Sequence, residues 1–226
     1  MSMLTTITAS ASQDDPLLVR PGCFLSHPQT ELAAPYPRRL LFSRLSRGMY
    51  VLFRVTEGAF SLTTPFANAY VTKIKLAPKE KLFCNLEHVI AFSERAFPSR
   101  VWKIDATSVL MGKLSYTYFR GPGMLYVCGV GGLTVEHVAG TAEYDSRKVI
   151  GWSHTLKVGV TSKHSPVAAM LQKNEVCIDR FEGKGKVLVQ PTGTSLSAVA
   201  RTSSGGGSIT WFDILSFLIG IPLPRP

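Results

Sequence analysis

Between Glu31 and Glu57 the chain has no acidic residue, yet Arg38, Arg39, Arg44, Arg47 and Arg54 all fall there, interleaved with Tyr36, Phe42, Tyr50 and Phe53. Guanidinium groups clamp phosphates and aromatic rings stack on bases, so this residue set fits a single-strand RNA surface. A second basic cluster comprises Lys73, Lys75, Lys79 and Lys81, with Lys73 and Lys75 on one side of a strand by period-two alternation. The competing reading of the same residues is a solvated sheet face with a positive arm for an acidic partner protein.

Little else is arranged for chemistry. The histidines His27, His88, His137, His154 and His164 include no pair two or four residues apart, the spacing that places two metal ligands on one face. His88 and His137 follow Glu87 and Glu136, but adjacent strand residues face opposite sides of a sheet. Neither HExxH nor GxSxG occurs, and no cysteine sits in a nucleophile motif. Asp14 and Asp15 lie in an expected tail, while Asp179 and Glu182 flank a glycine turn where a solvated face is expected. The reading is of a protein that is not an enzyme and uses no metal or cofactor. No polar constellation marks a small-molecule carrier.

The elements that must hold these residues belong to an ordered chain. Of 226 residues, 45% are hydrophobic and 18% charged, which excludes a disordered polymer and allows a core of useful size. Cys23, Cys84, Cys128 and Cys177 are scattered singly, against a disulfide framework or zinc cluster and in favour of reduced thiols inside a cell. The net charge of +10 attracts phosphate backbones or anionic lipid surfaces. Residues 1–20 read as a flexible tail: they are rich in Ser and Thr, and Asp14-Asp15 argues against an Arg-rich targeting helix. No apolar run reaches eighteen residues, so no spanning segment is expected. Residues 201–226 join a Gly/Ser linker to a tail carrying Trp211, Phe212, Leu215, Phe217 and Leu218. That tail reads as a last element docked on the core, or as a partner-binding or peripheral membrane segment.

Residues 21–200 read as a single all-β domain, because short Val/Ile/Tyr/Phe-rich runs alternate with Gly, Pro and Thr-Ser clusters. The chain also aligns with itself. LSYTYFRGPGMLYV (114–127) matches VCIDRFEGKGKVLV (176–189), and MYVLFRVTEGAFSL (49–62) matches both. The shared glycines Gly58, Gly123 and Gly185 lie 65 and 62 residues apart. HVIAFS (88–93) matches KVIGWS (148–153), placing Phe92 opposite Trp152. The expected unit is a hairpin whose glycines accept the turn geometry. A nucleotide-binding reading of the glycines fails because a strand, not a helix, follows each one.

The repeated F-x-G-x-G elements, ending in Phe181-Glu182-Gly183-Lys184-Gly185, and the strands Val89–Phe92 and Val149–Trp152 resemble the altered-inheritance-of-mitochondria family of mitochondrial biogenesis proteins. The resemblance covers about residues 45–193; Thr56-Glu57-Gly58 departs from it, and residues 1–44 and the tail after 200 find no counterpart. It implies a β-sandwich or barrel of three pseudo-repeats, similar to the tryptophan-RNA-binding attenuator, with no catalytic activity. It also implies a mitochondrial role in organising an inner-membrane complex. The expected function is a non-catalytic scaffold or assembly component, mitochondrial or alternatively cytoplasmic, that meets complex subunits or copies of itself through strand edges and the C-terminal tail. The alternative is an RNA-binding module built on the arginine stretch.

Overall fold

The computed structural model describes residues 6–25, 31–32, 52–64, 66, 68–96, 98–102, 115–162 and 177–193. Their regular structure is strand, apart from single 3-10 turns at Leu86–His88 and Glu94–Ala96. Strands β1 (Ile7–Ala11) and β5 (Gly58–Leu62) form a two-stranded sheet. A six-stranded sheet runs β3 (Glu31–Leu32), β4 (Phe53–Val55), β2 (Leu17–Val19), β8 (Val89–Ser93), β11 (Gly123–Val130), β6 (Ala69–Leu76). A seven-stranded sheet runs β12 (Thr134–Asp145), β15 (Cys177–Val189), β13 (Val149–Ser153), β7 (Lys81–Cys84), β10 (Ser115–Arg120), β9 (Pro98–Trp102), with β14 (Lys157–Ser162) also paired to β15. The chain is all-β, as its patterning predicts, and among the described residues no sheet closes into a barrel.

Burial on both faces explains why the central strands read as unbroken apolar runs. In β11, Leu125 and Val127 point into a core shared with Leu18, Phe92, Phe119, Ile150 and Leu188, which joins the two large sheets. Tyr126, Cys128 and Val130 of the same strand point into a second core with Ala9, Phe60 and Leu62 of the small sheet. A third core gathers Phe83, Trp152, Leu156, Phe181 and Val187 on the far side of the seven-stranded sheet. Every residue of β8 and of β13 is buried.

Two expectations are overturned. Residues 1–20 are not simply a tail, because they contain β1 and β2; Leu17, Leu18 and Val19 are 2%, 0% and 0% exposed. The glycine elements are not hairpins either. β10 and β11 lie in different large sheets, so Arg120-Gly121-Pro122-Gly123 carries the chain round a corner from one layer to the next. β4 and β5 are likewise in different sheets. The third element stays within β15, whose 13 residues continue through Gly183 while the strand beside it changes from β14 to β13. A hairpin and a corner share the same local signal, a glycine between two apolar runs; only the sheet partners distinguish them.

The two blocks matched in sequence sit in the sheets in the same register. Leu125 pairs with Phe92 and Val127 with Val89, while Val187 pairs with Trp152 and Val189 with Val149. One residue bulges out each time, Ile90 in β8 and Ile150 in β13, as the register shifts require. The amide of Met124 donates to Ser93 Oγ at 2.8 Å, and that of Lys186 to Ser153 Oγ at 2.9 Å.

Candidate functional site

Of the basic residues singled out by sequence, Arg54, Lys73 and Lys75 fall on two strands of the six-stranded sheet, β4 and β6, with three strands between them. Arg54, on β4, donates from Nε and Nη2 to Glu94 Oε2 at 3.2 and 3.0 Å, so its charge is already engaged. Lys73 and Lys75 do stand on one exposed face of β6, with Ile74 and Leu76 turned inward. Arg38, Arg39, Arg44 and Arg47 lie outside the described residues, as do Trp211, Phe212, Leu215, Phe217 and Leu218 of the C-terminal tail. His88 and Glu87 are not on opposite faces of a strand. They share a 3-10 turn, with His88 Nε2 3.6 Å from Glu87 Oε1 and Nδ1 2.9 Å from the Cys128 carbonyl oxygen.

A different basic group forms a cleft of about 470 Å³. One wall is the turn between β6 and β7. Glu80 ties this turn by accepting the Ala77 amide at Oε2, 2.8 Å away, and by donating its own amide to the Ala77 carbonyl at 3.0 Å. The turn leaves Lys79 with φ +67, in the left-handed region that costs a non-glycine residue roughly 1–2 kcal/mol. The other wall is β15, where Lys184 and Lys186 share a face two residues apart and pair across the ladder with Ala139 and His137 of β12. Thr155 Oγ1 donates to the Lys184 carbonyl at 2.7 Å, and His154 stacks on Phe83 at 5.7 Å between centroids.

The charges in the cleft do not cancel. Lys79, Lys81, Lys184 and Lys186 all line it, against the single carboxylate of Glu80. Lys186 Nζ pairs with Glu80 Oε1 at 2.9 Å. Lys81 Nζ lies 5.6 Å from the centre of the Tyr118 ring, and among the described residues no carboxylate pairs with Lys79, Lys81 or Lys184. A concave surface with three uncompensated ammonium groups raises the local concentration of anions. Sequence reading missed Lys184 and Lys186 because they are about a hundred residues from their neighbours Lys79 and Lys81. The available signal was the K-x-K spacing of Lys79-Glu80-Lys81 and Lys184-Gly185-Lys186, which Lys73-Ile74-Lys75 shares.

Two sheet edges complete the inventory. Among the described residues β6 pairs only with β11, and β9 only with β10. β6 presents its two lysines and Tyr70, which is 40% exposed; β9 ends on Trp102, 56% exposed.

This chain, from residue 4 to residue 192, matches the family model described as mitochondrial biogenesis AIM24. It belongs to that family. The AIM24 match begins ahead of β1, so the strands mistaken for a tail are part of the family's unit, which extends well before residue 45. A crystal structure of a protein from Streptococcus pyogenes superposes with a TM-score of 0.64 at 15% identity, covering 90% of this chain and 98% of that one. At that identity the likeness establishes a shared fold. No curated protein matches the sequence. Among the described residues, no helix is long and apolar enough to cross a membrane.

Proposed function

We propose that this AIM24 family member is a non-catalytic assembly component that joins protein partners along the edge of β9. The observation that carries the reading is Trp102. It ends the last strand of the seven-stranded sheet, is 56% exposed, and has the Arg100 guanidinium stacked 4.5 Å from its ring centre. An edge strand offers a row of backbone donors and acceptors to another chain, and Trp and Arg are the residue types that most often anchor an interface. β6 has the opposite character. A strand added there would have to approach Lys73 and Lys75, the usual device by which a sheet edge avoids pairing. Those lysines therefore serve as a guard rather than as RNA contacts, and Arg54 is held by Glu94. The apolar tail around Trp211 and Phe217 supplies a second attachment, and the family's description supports a mitochondrial setting.

Photo-crosslinking in the source cell tests this reading, with the reactive residue at position 102 and, as a control, at position 73. Discrete protein adducts from position 102, resistant to ribonuclease and weak from position 73, are the expected result. A ladder of the chain's own mass would identify a second copy as the partner. Adducts that vanish with ribonuclease would replace the assembly reading with the RNA one.

A further inference from the structure

We propose that the lysine cleft between the β6–β7 turn and β15 binds a small molecule through a cluster of phosphate groups. Its volume of about 470 Å³ lies within the usual small-molecule range of roughly 300–1,000 Å³. Lys79, Lys81 and Lys184 come from two separate parts of the chain, and no carboxylate among the described residues neutralises them. Lysine ammonium groups act as mobile point charges with three donors each, suited to several oxygens of a multiply charged anion rather than to one planar carboxylate. The imidazoles of His137 and His154 also line the cleft and add further polar groups.

The fold itself supplies a comparison. Leu17 pairs with Ser93 as Leu82 pairs with Ser153, and the Pro16 carbonyl accepts the Glu94 amide as the Lys81 carbonyl accepts that of His154. The Ser93–Met124 hydrogen bond corresponds to Ser153–Lys186. The matching corner therefore has Pro16 where the cleft has Lys81, Met124 where it has Lys186, and Pro122 where it has Lys184. Counting back from Pro16 places Asp14 at the position of Lys79. One corner folds with no lysine at these four positions, so the architecture does not demand them. Keeping four like charges together, one on a left-handed backbone, requires another reason, and a bound polyanion provides it.

Isothermal titration of the full chain with inorganic pyrophosphate, and separately with ATP, tests the proposal and tells a bare phosphate ligand from a phosphorylated molecule. One saturable site is expected, weakened about 100-fold in K184A/K186A by the loss of two charge-assisted contacts. K73A/K75A, which removes the same charge from β6, should leave affinity within about twofold. E80Q frees Lys186 while keeping an acceptor for the Ala77 amide, and should tighten binding several-fold. This variant decides the matter if K184A/K186A melts early. No saturable binding of either ligand, equal losses in the two lysine pairs, or unchanged affinity in E80Q would each overturn the proposal. Binding confined to anionic vesicles would overturn it as well.

Discussion

Adding one methyl group at Gly185 probes the close approach between β15 and the Ser153–Leu156 segment on which both the sheet packing and the lysine cleft depend. A Cβ there would lie 2.9 Å from Leu156 Cγ, 2.9 Å from Ser153 Cβ and 3.0 Å from Thr155 Oγ1. Carbon atoms at rest sit about 3.5–4.0 Å apart, so the two carbon contacts must open by about half an ångström or more, and the Thr155 Oγ1 contact by a few tenths. Ser153 is held by its 2.9 Å bond from the Lys186 amide, and Leu156 is packed in the third core. Overpacking of this kind costs roughly 1–3 kcal/mol, and losing the serine bond adds about 1 kcal/mol. Gly185→Ala should therefore destabilise the protein by about 2–4 kcal/mol, lowering the melting temperature by roughly 5–15 °C for a chain of this length. Urea unfolding followed by tryptophan fluorescence measures the change. Gly159→Ala is the control, since its Cβ meets nothing within 4 Å, and it should be neutral or stabilising by up to about 1 kcal/mol. Gly123→Ala, facing Ala96 Cβ at 2.8 Å and Ser93 Cβ at 3.0 Å, should behave like Gly185→Ala. If Gly185→Ala and Gly159→Ala unfold together, the close approach of β15 to Ser153–Leu156 is not what requires glycine.

The serine bonds give a related expectation. Ser153→Ala leaves the Lys186 amide without its acceptor and should cost about 1–3 kcal/mol in the same assay; Ser93→Ala should cost more, because Ser93 Oγ also donates to Asp15 Oδ2 at 3.0 Å. Burial pushes the Cys23 thiol up to about 11 and the Cys128 thiol up to about 12. In a Cys177→Ser background, a thiol reagent at pH 8 should react with the native protein only as fast as it opens; rapid labelling of the folded form would contradict this. The same shifts set a pH window. From about pH 9 the unfolded thiols lose protons while the folded ones retain theirs until about 11 and 12, so stability should fall as pH rises through that interval. At the acid end, hydrogen bonds from Arg147 hold the Asp145 carboxyl below its ordinary value, so its contribution is present above about pH 4 and fades below it. Arg147→Ala should return the Asp145 titration, followed by NMR, to the ordinary carboxylate range.

What could be read from sequence followed from short-range periodicity. The runs Val89–Ser93 and Val149–Ser153 announce themselves as central strands because both faces are buried. Their mutual alignment reflects a real equivalence of register, down to the bulged isoleucines. The N-terminal strand was illegible for a simple reason. ITASA buries only Ala9 fully, and its hydrogen-bond partner β5 lies about fifty residues downstream, so its local composition is that of a linker. Position relative to other layers was equally hidden: the residues of Gly121-Pro122-Gly123 would suit a tight reversal, and only the sheet partners turn them into a corner. The lysine cleft lay beyond sequence reading because its two halves meet through tertiary pairing of β7, β13 and β15.

The place of β2 in the six-stranded sheet has a consequence for how the molecule is made. Leu17–Val19 leaves the ribosome before both of its neighbours, β4 and β8, and its partner Ser93 is synthesised 76 residues after Leu17. Through that interval three apolar residues wait with one edge unpaired, since β4 is available from Val55 onward but β8 is not. The nascent chain therefore exposes an incompletely paired apolar segment for several seconds at ordinary translation rates of about 5–20 residues per second. Such a segment is natural cargo for chaperones that hold chains unfolded.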